Sequence, residues 1–326
     1  MQRRALLKTG LAAAATAHIS GAFATDSNEI IKLWPGEAPG MPSPAPVLQI
    51  TERSSDTARF NDRIAVNVAE PLMTVIRPRK PDGSAVLIAP GGGYRWVVID
   101  KEGLETASRM ADAGITVFVL RYRSPGDGWR AGPDTPLQDA QRAIRTIRAK
   151  ASDYALKPDR VGVLGFSAGG HVAASLATRF NATVYPFTDA TDHQSARPDF
   201  VGLMYPVITM AQPGAHPGSR ERLLGATPSA ALVDAYSCET LVSADTPPTF
   251  IAASADDDVV PTQANSVAMY KALLAAKVPA ELHIFEEGGH GYGLRLAKGK
   301  PAAAWPDLFL HWGYRHNWFQ DAAAAP

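Results

Sequence analysis

The sequence has almost no cysteine and no surplus of charge. Cys238 is the one cysteine among 326 residues, so a disulfide within the chain is excluded. Lysine and arginine together number 32, and aspartate and glutamate together also number 32. Proteins that bind nucleic acid or anionic membranes need a basic face. Because the charges balance, we expect neither of these partners.

Long apolar runs are scarce as well. The apolar stretch near the N-terminus, residues 11–15, is far shorter than the roughly 20 residues of a membrane-spanning helix. We therefore expect no stable insertion into a membrane.

The residues around that stretch indicate export. Arg3-Arg4 and Lys8 precede it, and Ala22-Phe23-Ala24 fits a small-residue cleavage site. Residues 1–24 therefore resemble a twin-arginine export signal. The pattern predicts a periplasmic or secreted protein; an apolar N-terminal helix is the alternative.

Short apolar runs alternate with amphipathic segments along the rest of the chain. The predicted strands include 85–89, 115–120, 161–166, 200–204, 249–253 and 281–285, and the predicted helices include 104–113, 136–151, 263–277 and 307–319. This alternation predicts an α/β domain with a mostly parallel central sheet and helices on both faces.

Three further segments complete the predicted organisation. Residues 25–62 are rich in proline and glycine and read as an irregular arm, and residues 63–326 as a single domain. Within that domain, residues 207–248 are the most irregular segment, and we expect them to form a small partial cap.

The clearest motif is Gly165-Phe166-Ser167-Ala168-Gly169. A predicted strand runs into it and a helix-compatible segment leaves it, which is the context of a nucleophile elbow. A chance match in an ordinary strand–turn–helix is the alternative. The elbow interpretation makes Ser167 a candidate nucleophile, and a serine hydroxyl needs a base beside it.

His290 is the candidate base. It follows the last predicted strand and has glycines on both sides, in Gly288-Gly289-His290-Gly291. Glycines let the backbone bring an imidazole to a crowded point. An exposed loop histidine is the other interpretation.

The base needs a carboxylate that orients it. Asp256, Asp257 and Asp258 stand together just after a predicted strand. The order serine, aspartate, histidine is that of the α/β-hydrolases. We favour Asp257 for this role, with Asp256 as the alternative. We expect Asp258 to be a residue of the turn that follows the strand.

A glycine turn follows the predicted strand 85–89. Gly92 and Gly93 within Gly91-Gly92-Gly93 are the better candidates for donors to a developing oxyanion, together with the amide of Ala168 after the serine. The glycines could instead form a plain turn. A phosphate loop is disfavoured, because no Gly-Lys-Ser/Thr follows.

Four stretches together resemble the α/β-hydrolase esterases, and most closely their acetylxylan-esterase-like and acetylesterase-like branch. They are Pro90-Gly91-Gly92-Gly93-Tyr94, Gly165–His171, Asp256–Pro261 and Gly289-His290-Gly291, and residues 33–40 are similar to the opening of those secreted proteins. The resemblance spans roughly residues 30–315 and implies an α/β-hydrolase fold. The family pattern D-x-V-V-P selects Asp257, and Pro90 stands where many esterases have the histidine of HGGG.

The resemblance implies hydrolysis of short acyl esters, often acetyl groups on plant polysaccharide such as xylan. We therefore expect a serine carboxylesterase that works through an acyl-enzyme, without a cofactor or a metal ion. Five aromatic residues near predicted strand ends could stack on sugar rings, with Tyr94 and Tyr292 as the favoured substrate contacts: Tyr94, Trp96, Trp129, Tyr205 and Tyr292.

Other functions compete with this one. A peptidase or amidase of the same fold is the main alternative. A non-catalytic carbohydrate-binding protein is disfavoured, because a binding module needs no serine, histidine, aspartate and glycine turn together. A metal-dependent deacetylase would need clustered histidine and aspartate ligands, and residues 256–258 have no histidine nearby. The oligomeric state is left open.

Overall fold

A computed structural model describes residues 29–320. The expected export signal at residues 1–24 lies outside the described residues. The centre of the domain is an eight-stranded sheet. Its strands are β1 (Glu29–Lys32), β4 (Leu72–Ile76), β5 (Ala85–Ala89), β7 (Thr116–Arg121), β8 (Val161–Phe166), β9 (Val201–Met204), β10 (Thr249–Ser254) and β11 (Ala280–Phe285). They lie side by side in the order β1-β4-β7-β5-β8-β9-β10-β11.

The sheet is parallel from β7 to β11, and only β1 and β4 run antiparallel to their neighbours. Every residue of the central strands β5, β8 and β10 is buried. A parallel strand covered on both faces must be apolar throughout, which is why these segments read as continuous hydrophobic runs. The predicted α/β fold with a mostly parallel sheet is confirmed.

Helices cover both faces of the sheet. The helices are α1 (Glu105–Asp112), α2 (Thr135–Ala149), α3 (Ser167–Arg179), α4 (Pro217–Leu224), α5 (Ala230–Tyr236), α6 (Ala268–Ala275) and α7 (Trp305–Arg315). On one face α1 and α7 pack through residues such as Met110 and Phe309, and on the other α2, α3 and α6 pack through residues such as Ile144 and Leu273. None of the helices in residues 29–320 is long and apolar enough to cross a membrane.

The N-terminal arm is more regular than the sequence suggested. Its first strand, β1, pairs antiparallel with β4 and forms an edge of the main sheet. A second strand, β2 (Gln49–Glu52), pairs with β3 (Arg63–Val66), and β3 pairs with β6 (Val97–Val98) in a small antiparallel sheet. Strands of two to four residues carry too little periodicity to stand out among prolines and glycines.

The arm is fixed to the domain by a buried ion pair. Arg123 and Asp139 are fully buried and bonded at 2.8 Å. The Trp34 indole donates to Asp139 at 3.0 Å, and Arg123 donates to the Pro39 carbonyl at 2.8 Å. The stretch 33–40 therefore binds the domain through charged and aromatic side chains of the interior.

The segment 207–248 carries α4 and α5 between β9 and β10. Asn265 holds its start, because its side-chain oxygen accepts hydrogen bonds from the amides of Ile208 and Thr209 at 2.9 and 3.1 Å. Residues of α4 then line the cleft at the carboxyl edge of the sheet.

Candidate active site

The strand–turn–helix geometry predicted around Ser167 is present as a turn between β8 and α3. Ser167 has a φ of +51°, a left-handed conformation that is strained for a side chain with a Cβ. The flanking glycines are required by close contacts. A Cβ on Gly165 would lie 2.3 Å from the Gly169 carbonyl oxygen, and one on Gly169 would lie 2.1 Å from that of Ala89.

Ser167, His290 and Asp257 form a continuous hydrogen-bonded chain. The Ser167 Oγ lies 2.8 Å from His290 Nε2, and His290 Nδ1 lies 2.7 Å from Asp257 Oδ2. A carboxylate only accepts, so Nδ1 carries the imidazole proton and Nε2 is free to accept from the serine hydroxyl. The Asp257 side chain is 1% exposed. Its other oxygen accepts from the amides of Val259 and Val260 at 3.0 and 2.9 Å, which fixes the carboxylate.

The three aspartates have different surroundings. Asp256 does not contact His290; its Oδ1 accepts from the amides of Gly288 and Gly289 at 2.9 and 2.7 Å. These bonds, the Gly289 amide first, lower the pKa of Asp256 and hold the loop that carries His290. Asp258 is exposed and forms no hydrogen bond or ion pair with another described residue.

The glycine turn lies against the elbow. A Cβ on Gly91 would lie 2.9 Å from the Ser167 Cβ. Gly92 and Gly93 have φ values of +135° and +62°, which favour glycine. The Gly91 amide is already used, because it donates to Glu102 at 2.7 Å.

The remaining amides of the turn are available. Within residues 29–320, the amides of Gly92, Gly93 and Ala168 have no hydrogen-bond partner. Ala168 lies in the first turn of α3, where the amides of a helix have no partner inside it. The structure therefore brings three unpaired donors to the side of the cleft where Ser167 lies.

Glu102 is a site residue that no sequence motif marks, and Tyr205, one of the five aromatic residues considered for sugar stacking, is 1% exposed and bonds to Glu102 instead. Glu102 is 3% exposed and accepts from the Gly91 amide and, at 3.0 Å, from the Tyr205 hydroxyl. The Tyr205 oxygen in turn accepts from the Gly293 amide at 3.1 Å, and its ring packs on His290 at 5.1 Å. The two contacts of Glu102 join residues that are distant in the sequence, and only the folded structure shows them.

The structure corrects the favoured substrate contacts. Tyr94 and Tyr292 are 1% and 0% exposed, so neither ring offers a face to a sugar. The Tyr94 hydroxyl contacts His171 Nδ1 at 2.7 Å, and the Tyr292 ring packs on Tyr205 at 4.5 Å. Both follow glycines, and a short turn directs the large ring into the core rather than into the cleft.

His171 joins the glycine turn to α3 and α5. Its Nε2 donates to the Tyr236 carbonyl at 2.7 Å, so its Nδ1 accepts from Tyr94. Burial lowers the pKa of His171 to about 4, and the ring is neutral at pH 7. It is a structural histidine beneath the turn.

A cleft of about 510 Å³ opens over Ser167 and His290. His216 lines it from the start of α4, where its Nδ1 lies 2.8 Å from Ser219 Oγ. Burial and the nearby His290 lower the pKa of His216. No sequence motif marks His216, and only the fold places it beside the site. Within the described chain, no group of three or more histidine, cysteine, aspartate or glutamate side chains is placed to hold a metal ion.

A nucleophile elbow, a histidine bonded to an aspartate and a glycine turn, all at the carboxyl edge of a mostly parallel sheet, define an α/β-hydrolase. The BD-FAE family model matches residues 74–273, and the chain belongs to that family.

Two relatives share extended sequence similarity. An acetylxylan esterase of Xylanibacter ruminicola is 32% identical over 225 residues, which cover 68% of this chain and 43% of that protein. The endo-1,4-β-xylanase B of Butyrivibrio fibrisolvens is 33% identical over 268 residues, which cover 82% of this chain and 41% of that protein. The chain thus spans less than half the length of these relatives.

Solved structures agree with the fold. An acetyl ester-xyloside bifunctional hydrolase from Caldicellulosiruptor lactoaceticus matches with a TM-score of 0.71 and 32% identity over 90% of this chain and 98% of its own. The carboxylesterase Cest-2923 from Lactobacillus plantarum matches with a TM-score of 0.63 and 26% identity over 83% and 99% of the two chains. The expected likeness to α/β-hydrolase esterases of the acetylxylan-esterase-like branch is confirmed.

Proposed function

We propose that the protein is a serine carboxylesterase that hydrolyses short acyl esters through an acyl-enzyme. The observation that carries the proposal is the hydrogen-bonded chain from Ser167 through His290 to Asp257, with contacts of 2.8 and 2.7 Å. This arrangement supplies a hydroxyl nucleophile with a base of defined tautomer.

In the first half of the reaction, Ser167 Oγ attacks the ester carbonyl while His290 Nε2 takes the hydroxyl proton. Asp257 stabilises the imidazolium that forms. The carbonyl oxygen becomes negative and accepts hydrogen bonds from the unpaired amides of Gly92, Gly93 and Ala168. The tetrahedral intermediate then collapses, and His290 gives its proton to the leaving alcohol.

In the second half, water replaces the alcohol. His290 takes a proton from the water as it attacks the acyl carbon, and the same amides stabilise the second oxyanion. The collapse releases the carboxylic acid, and Ser167 regains its proton from His290. No redox step and no cofactor enter this sequence.

For the substrate, we infer acetyl groups on a carbohydrate such as acetylated xylan. The names of the relatives, an acetylxylan esterase, a xylanase and an acetyl ester-xyloside hydrolase, support this inference. The cleft also fits it, because it is open and lined by polar side chains as well as by the half-buried Trp96. We further propose export to the periplasm or the medium, on the pattern of residues 1–24.

The experiment compares the unchanged protein with Ser167→Ala on p-nitrophenyl acetate and on acetylated xylan, with released acetate measured. We expect a loss of at least about 10⁴-fold in kcat for the variant, because the nucleophile is gone. Ser108→Ala, an exposed serine on α1, serves as the control. Retained ester turnover in Ser167→Ala would contradict the mechanism. Hydrolysis of acetanilide is measured in parallel. An amidase would cleave this amide at least as fast as it cleaves the ester.

A further inference from the structure

The cleft over Ser167 has a surplus of positive charge, although the chain as a whole has none. Its charged side chains are four basic residues and two acidic ones: Arg53, Arg95, Lys101, Arg222, Glu102 and Glu221. Glu102 is buried beneath the glycine turn and faces Gly91 and Tyr205. Glu221, on α4, is therefore the only exposed carboxylate among the described lining residues.

Most of the basic groups are not neutralised by the protein. Arg53 is paired with Asp62 at 2.9 Å. In contrast, no carboxylate of residues 29–320 lies within ion-pair distance of Arg95, Lys101 or Arg222. Arg222 has Asp127 as an electrostatic neighbour beyond that distance. Arg95 and Lys101 therefore line the cleft without an ion pair, although the Glu102 carboxylate lies near Lys101: Glu102 Oε1 and Lys101 Nζ would be 3.9 and 3.5 Å from a Cβ on Gly291.

Arg95 and Trp96 are placed beside the reacting groups by their backbone. The amides of both residues donate to the Gly92 carbonyl, at 3.0 and 3.2 Å. The Arg95 guanidinium lies 5.2 Å from the centre of the Trp96 ring. An aromatic ring next to a cation offers a sugar both a stacking surface and a counter-charge.

Lys101 brings a second cation into the cleft, close to the loop that carries His290. Its ammonium would lie 3.5 Å from a Cβ on Gly291, the residue after His290. A negatively charged substrate group would therefore meet Lys101 beside the base and Arg95 beside the glycine turn, both within the same cleft.

We propose that Arg95, Trp96 and Lys101 form a subsite for a carboxylate on the sugar portion of the substrate, so that the preferred substrate is an acetylated oligosaccharide bearing a uronic acid. The inference rests on the proposed esterase function and specifies its substrate class. Cations that face a cleft without partners attract anionic ligands and raise their local concentration.

The test compares acetylated xylotetraose with the same oligosaccharide carrying one glucuronic acid, at equal acetyl content. At low salt we expect kcat/KM to be about fivefold higher for the acidic substrate, the size expected for one or two exposed ion pairs. In 0.5 M NaCl the preference should shrink toward equality, because salt screens exposed charges.

Variants assign the effect to the subsite. Arg95→Gln and Lys101→Gln should each lower the ratio of acidic to neutral kcat/KM by about two- to threefold. Arg79→Gln and Lys80→Gln are matched controls, because these exposed residues follow β4 at the opposite end of the sheet. They should leave the ratio unchanged.

Equal rates on the acidic and neutral substrates at low salt, or equal effects of the site and control variants, would overturn the proposal. p-Nitrophenyl hemisuccinate carries its negative charge on the acyl group instead of on a sugar. If the enzyme preferred the charged substrate only in this case, the assignment of the subsite to the sugar would be contradicted. Turnover of p-nitrophenyl acetate is measured in parallel. Its absence in the unchanged protein would contradict the esterase function itself, whereas its presence without an acidic preference would contradict only the subsite.

Discussion

The Glu102 carboxylate accepts a hydrogen bond from the Gly91 amide at 2.7 Å, directly beneath the glycine turn. Its second oxygen accepts from the Tyr205 hydroxyl, which accepts from the Gly293 amide. A single buried carboxylate thus connects the turn that presents Gly92 and Gly93 with the loop that carries His290. No described lysine or arginine forms an ion pair with it. These contacts predict that Glu102 is a positioning residue for the proposed reaction.

Glu102→Gln should therefore lower kcat more than it changes KM. The glutamine oxygen can replace only one of the two accepting oxygens, so either the turn or the Tyr205 link is loosened. We expect about a tenfold loss in kcat for a short ester, equivalent to about 1.4 kcal/mol in the barrier. Steady-state kinetics on p-nitrophenyl acetate measure the separate effects on kcat and KM.

Two further variants control this prediction. Tyr205→Phe removes one link of the same chain and should also lower kcat. Glu286→Gln, at an exposed position after β11, should change neither constant. A loss in Glu102→Gln that appears only in KM, or only as a fall in unfolding temperature, would contradict the positioning role.

Substitution of the three neighbouring aspartates by asparagine should lower kcat by three different amounts. In Asp257→Asn, the amide can donate to His290 Nδ1 and select the wrong tautomer, so we expect a fall in kcat of about 10⁴-fold. Asp256→Asn loses the charge that holds the Gly288 and Gly289 amides, and we expect a fall of about tenfold or less. Asp258→Asn should be close to unchanged. The reverse ranking of Asp256 and Asp257 would contradict the geometry of the site.

The residues that could be identified from the sequence are those whose role depends on local backbone. Ser167 needs glycines on both sides of a strained turn, and His290 needs glycines that expose its loop, so both leave a short motif. Glu102 and His216 reach the site only through tertiary contacts, so neither lies in a recognisable sequence motif. Tyr94 and Tyr292 were misjudged for the same reason, because proximity to a strand end does not say whether a ring points into the cleft or the core.

The stability of the protein should fall in mild acid because of His171. Burial lowers its folded-state pKa from 6.5 to about 4, so between these values the unfolded chain binds a proton that the folded protein does not. The contribution of His171 is complete above pH 6.5 and is lost progressively as the pH falls toward 4. The loss amounts to about 3 kcal/mol at most.

Denaturant unfolding at pH 7.0, 5.5 and 4.5 measures this dependence. In His171→Gln the fall in unfolding free energy across that range should be smaller than in the unchanged protein, although the variant is less stable at pH 7. His311→Gln, at an exposed position on α7, is the control and should keep the original slope. Identical slopes in all three proteins would contradict the assignment to His171.

The buried pair of Arg123 and Asp139 leads to the largest expected effect on stability. Both side chains are fully buried, and Asp139 also accepts from Trp34 in the N-terminal arm. Asp139→Ala leaves a guanidinium without its carboxylate in the interior, and we expect the free energy of unfolding to fall by about 3–5 kcal/mol.

Asp153→Ala is the matched control, because its pair with Lys150 is 3.7 Å long and exposed. We expect the free energy of unfolding of this variant to fall by at most about 0.5 kcal/mol. Urea unfolding followed by tryptophan fluorescence measures the free energy of unfolding of each variant. A loss in Asp139→Ala no larger than in Asp153→Ala would show that the buried pair does not hold the arm.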